Sequence, residues 1–124
     1  MTQFIEHSPL STSAQIQKFV STEQAITNVD FSVVKGYDKI NLTFNYDTKV
    51  ITLSNANTGS KFTFKMVSEY KENGTMVGDT RSIRVTSTNA PAVKRFFFSS
   101  DMPGVIFMEN KDGKTTTFGS LTKL

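Results

Sequence analysis

Hydrophobic and polar positions along this chain change period once, near residue 29. Before that point, Ile16, Phe19, Val20 and Ile26 fall on one side at helical spacing, while Gln15, Gln17, Lys18 and Glu23 fall largely elsewhere. Thr12 and Gln15 have the spacing of a capping box. The pattern predicts one helix over about 13–27.

After residue 29 the period is two. Ile40, Leu42 and Phe44 share one face and Lys39, Asn41, Thr43 and Asn45 the other, as in a half-buried strand. Tyr46-Asp47-Thr48 supplies a turn and Lys49 to Leu53 the returning strand, so a hairpin is expected over 39–54. A long strand over about 60–71 groups Phe62, Phe64, Met66 and Tyr70, opposite Lys61, Thr63, Lys65 and Lys71. Asn73-Gly74 tolerates the positive φ of a tight turn. Further strands are expected over 81–87, 93–99, 105–109 and 115–121, the last two flanking a hairpin signal at Lys111-Asp112-Gly113-Lys114.

Many short strands, one early helix and no βαβ rhythm indicate a mainly β, α+β domain. The expected architecture is an antiparallel barrel or small sandwich of six to eight strands, with OB-like and clamp-like topologies both open. At 124 residues the chain has room for one core, so it is read as a single domain over 1–124, with the β-rich part over 29–122.

Composition narrows the chemistry. There is no Cys and no Trp, and the single His is His7, which excludes disulfide scaffolds and thiolate chemistry and argues against a His-based triad. The aspartates sit mostly at expected turns, and no zinc-protease, nucleophile-elbow, P-loop or dinucleotide motif is present. A non-enzymatic role without cofactor or metal is expected. The first residues lack a signal-peptide pattern and no apolar run is long enough to cross a membrane as a helix, so a soluble, cytoplasmic protein (or one of a host cytoplasm or virion) is expected.

Charge is unevenly placed. Residues 1–60 hold four Lys against five carboxylates, net −1, and residues 61–124 hold ten basic residues against six carboxylates, net +4. Aromatic and basic residues interleave at Lys61-Phe62-Thr63-Phe64-Lys65 and at Lys94-Arg95-Phe96-Phe97-Phe98. Single-strand binders combine rings for stacking with cations for phosphates. Alternation sends Phe62 and Phe64 away from Lys61 and Lys65, so those rings read as core. Three consecutive Phe cannot all point inward unless both strand faces are covered. If Phe96 and Phe98 are buried, Phe97 is exposed beside Arg95; if Phe97 is buried, Phe96 and Phe98 flank the same surface as Lys94.

The leading expectation is a nucleic-acid-binding domain, for single-stranded DNA or as a replication accessory factor. Arg95 and Phe97 would be central, with Lys61, Lys65, Arg84 and Lys94 as phosphate contacts. Arg81 adds to the basic half. The alternative is a structural or assembly protein, such as a small virion or connector component, working through protein partners or a homo-oligomer. A carrier with its ligand inside a barrel is a further reading, since many Phe and Met could line a cavity, although barrels fill their interiors with such residues anyway.

Overall fold

A computed structural model describes residues 16–124, and among these every regular element is a strand. The nine strands are β1 (Ile16–Thr27), β2 (Val33–Gly36), β3 (Ile40–Asn45), β4 (Val50–Asn55), β5 (Lys61–Thr75), β6 (Gly78–Thr86), β7 (Val93–Ser99), β8 (Ile106–Asn110) and β9 (Thr115–Lys123). From β3 to β9 each strand pairs antiparallel with the next, and β9 returns to pair with β1, closing an eight-stranded barrel. On its other edge β1 pairs with β3 through residues 16–21 and with β2 through residues 24–27. The extra strand β2 therefore stands beside the barrel as a short arm. The expected antiparallel barrel is formed, in a sequential meander, and the sandwich is not.

The expected helix is overturned across residues 16–27, which form β1; residues 13–15, the Thr12–Gln15 box and His7 lie outside the described residues. The cause is a change of face within the strand. Gln17, Phe19 and Ser21 point into the barrel, and the next inward residues are Gln24 and Ile26. Thr22 and Ser120 drop out of an otherwise constant register with β9, and Ser120 has φ 45°. Because the parity inverts there, Phe19 and Ile26 share a side seven residues apart, which is also two helical turns. The Ser21 hydroxyl holds the inversion by donating to the Gly119 carbonyl at 2.8 Å, and Gln24 Nε2 donates to Ser21 Oγ at 3.2 Å.

The interior has three levels. Five fully buried rings, Phe19, Phe44, Phe64, Phe96 and Phe98, fill the middle with Leu42, Ile51, Ile83 and Ile106. Their edge-to-face contacts, such as Phe64 on Phe96 at 5.0 Å, favour one packing over alternatives. One end is plugged by polar groups. Arg81, only 4% exposed, donates to Glu69 through Nε at 3.0 Å and Nη2 at 2.6 Å, and its guanidinium lies 5.7 Å from the Tyr46 ring centre. The Tyr46 hydroxyl donates to Gln17 Oε1 at 3.2 Å, and its burial raises its pKa above the usual tyrosine value. The other end is an open mouth.

Candidate nucleic-acid interface

Two single-residue bulges decide which side chains face outward. On β5 the pairing with β6 slips between Met66 and Ser68, so Met66 stays inside, Val67 and Ser68 both lie outside, and parity inverts beyond. Glu69 then turns inward to meet Arg81, and Tyr70, expected beside Phe64 and Met66, turns outward opposite Ser82. On β7 the slip between Val93 and Arg95 places Lys94 and Arg95 side by side on the outside, between inward Val93 and Phe96.

The outer wall of β5, β6 and β7 thus carries all six expected site residues. Lys61 and Lys65 lie four residues apart on β5, about 13 Å at strand rise. Lys65 pairs with Thr86, two positions from Arg84, and Arg84 sits directly opposite Arg95. Lys94 follows at the β7 bulge, and Phe97 lies opposite Ser82. Arg81 is the exception in the basic half, because it points into the barrel.

The six differ in what else holds them. Arg95 Nε donates to Glu109 Oε1 at 2.5 Å, and its Nη1 donates to Ser82 Oγ at 2.8 Å and to the Tyr70 hydroxyl at 3.2 Å. Glu72 stands 3.6 Å from the same guanidinium. Burial opposes the charge on Arg95, but its bond and attraction to Glu109 raise its pKa further above the usual arginine value. Lys94 shares Glu109 at 3.8 Å. Phe97 faces outward yet is only 9% exposed, stacked flat on Phe107 at 4.6 Å with the Arg95 guanidinium 4.4 Å above its ring centre. All three consecutive Phe are therefore buried, and the exposed ring expected on β7 is absent because Phe107 and the Arg95 guanidinium cover the outer face of Phe97.

No match to this chain is found among protein-family models, curated proteins or solved structures.

The remaining cations are less engaged. Among the described residues, no carboxylate lies within salt-bridge distance of Lys61, Lys65 or Arg84. Arg84 instead lies 5.1 Å from the ring centre of Tyr70. Burial works against ionising the Tyr70 hydroxyl, but its bond to Ser82 and the charge of Arg95 outweigh it and lower its pKa below the usual value. Beside Lys65 a shallow groove is lined by the hydroxyl-bearing Thr63, Thr86, Ser87 and Thr88. The loop after β6 shapes it: Ser87 Oγ donates to the Thr63 carbonyl at 2.6 Å and Asn89 Nδ2 to the Lys61 carbonyl at 3.0 Å, extending the ladder where β6 has ended.

Sequence reasoning missed Tyr70, since a one-residue bulge leaves no mark in a period-two pattern. Among the described residues there is no group of three or more His, Cys, Asp or Glu placed to hold a metal ion. No described helix is long and apolar enough to cross a membrane.

Proposed function

We propose that this domain binds single-stranded nucleic acid along the outer wall of β5 and β6, without catalysis. One observation carries the reading: Lys61, Lys65 and Arg84, free of carboxylate partners among the described residues, share a continuous outward face with the half-buried ring of Tyr70. Cations spaced along a strand suit a row of phosphates, and an Arg-backed ring suits a base. The groove hydroxyls add hydrogen-bonding groups for phosphate or sugar oxygens. In this reading Arg95 and Phe97 brace the wall from its β7 side, and Lys94 flanks it.

Fluorescence anisotropy with a labelled oligothymidylate at several salt concentrations tests the proposal. Binding should weaken steeply with salt, and the K61A/K65A/R84A variant should weaken it at least tenfold. The log–log salt slope should become shallower by about 2, at roughly 0.7 per phosphate contact on a single strand. Absence of salt-sensitive binding by the unaltered protein at low salt would refute it.

A second reading, assembly through protein contacts, is favoured by the β2 arm. Val29, Phe31, Val33, Val34 and Tyr37 are all exposed there, Phe31 by 85%, and among the described residues β2 pairs only with β1. An apolar strand with one free edge is a pairing surface. If it joins copies of this chain, Val34→Lys should lower the mass measured by light scattering; a monomer for both proteins counts against it.

A further inference from the structure

The open end of the barrel is a cavity of about 330 Å³, floored by Phe64 and walled by Ile40, Leu53, Phe62, Val93, Met108 and Phe118. From these we infer a second binding site, distinct from the outer wall, that takes a small uncharged apolar molecule of about two fused rings. Three features of the site select that class.

Size comes first. An apolar cavity of about 150 Å³ stays dry and admits benzene; this one has roughly twice that volume, at the lower end of the range for small-molecule pockets. Eight strands also give a barrel just wide enough for one small ligand where side chains do not fill it.

The second feature is the rim. Gln24 Nε2 donates to the Asp38 carbonyl at 2.8 Å, Gln24 Oε1 accepts from the Asp38 amide at 3.2 Å, and Asn55 Nδ2 donates to Asp38 Oδ2 at 2.8 Å. These polar groups already satisfy one another. They occupy the β1, β3 and β4 side of the opening and, being paired with one another, leave little to offer a charged head group.

Charge is the third. Lys35 and Asp38 are the charged residues of the lining, and they are opposite in sign. Among the described residues the lining therefore carries no net charge that would select an anion. Rings and a thioether on the wall instead favour a flat, polarisable ligand.

N-phenyl-1-naphthylamine, a neutral dye that brightens on leaving water, provides the test with the full chain. It should bind saturably at one site, be displaced by naphthalene, and bind at least tenfold more tightly than 1-anilinonaphthalene-8-sulfonate. Ala90 lines the cavity from the loop between β6 and β7 and Thr116 from the start of β9. Ala90→Phe or Thr116→Phe, whichever retains the wild-type circular dichroism, should weaken the dye at least tenfold while leaving oligonucleotide binding unchanged. Absence of saturable binding, equal affinity for the sulfonate, or undiminished binding by a folded cavity-filling variant would overturn the inference.

Discussion

Phe97 is an outward-facing residue that behaves as core. Its ring is sandwiched between Phe107 and the Arg95 guanidinium, so Phe97→Ala should cost about 3–5 kcal/mol, as for buried Phe in general, measured by urea unfolding. Arg95→Ala removes that cap and leaves Glu109, which is 20% exposed, without its closest partner. A loss of about 2 kcal/mol is expected, below the 3–5 kcal/mol of a fully buried pair because water still reaches both groups. The tyrosines give a pH signature at 295 nm. Tyr70 has a lowered pKa and should ionise below the usual tyrosine range, whereas Tyr46, raised by burial, should ionise above it; Tyr70→Phe and Tyr46→Phe should remove the early and late steps respectively. The Tyr46 contribution is intact below the ordinary tyrosine pKa and is lost as pH rises through the higher folded value, so alkaline unfolding should begin earlier in the wild type than in Tyr46→Phe.

At the scale of elements, what could be read from sequence depended on whether a strand keeps its parity. The hairpin of β3 and β4 does, with Ile40, Leu42 and Phe44 inside as alternation requires, and β7 occupies the expected 93–99. β1, β5 and β7 do not. Each inversion or bulge moves later residues to the opposite face; the bulges at Met66–Ser68 and Val93–Arg95 contain no Gly or Pro that would have marked them, and the inversion in β1 leans on Gly119 of the distant strand β9. That is why the spacing in β1 mimics a helix, Tyr70 groups with Phe64 and Met66 in the sequence pattern but not in the barrel, and two adjacent cations on β7 reach one surface. Among the candidate site residues, type and strand were legible, but pairing was not: Glu109 and Glu72 engage Arg95 from other strands. Turns were legible at Tyr46-Asp47-Thr48 and at Lys111-Asp112-Gly113-Lys114, but the turn expected at Asn73-Gly74 is not there: both residues lie inside β5, with Gly74 at φ 68° beside an irregularity in the ladder, and the chain reverses at Met76-Val77 before Gly78, with φ 83°, enters β6. A Cβ at Gly78 would come within 2.6 Å of Ser100 Oγ and 2.5 Å of Asp101 Oδ1. Gly78→Ala should therefore cost at least about 1–2 kcal/mol from the left-handed backbone alone, read as a lowered urea midpoint.

For the whole molecule, closure explains how a chain of this size keeps its layers apart. The middle of the barrel is solid with rings, one end is plugged by Arg81, Glu69 and Tyr46, and the cavity is confined to the other end. Ligand traffic inside and polyanion contacts outside would then use different surfaces of one scaffold. The charge excess of the second half also has a physical address. It includes Lys61, Lys65 and Arg84 on a wall whose neighbours across β4, Val50, Thr52 and Ser54, are neutral.

The seam between β1 and β9 imposes a timetable on folding. Hairpins from β3 to β9 form between chain neighbours, but Phe19 meets Lys123 and Thr27 meets Thr115, so this seam joins segments roughly a hundred positions apart and must bear the largest loop-closure entropy. During synthesis β1 leaves the ribosome long before its partner exists, with one flank unsatisfied until β9 is made. In a crowded polysome the β9 of a neighbouring chain can take that place in the same register, and an exchanged dimer is the misassembly this architecture most readily permits.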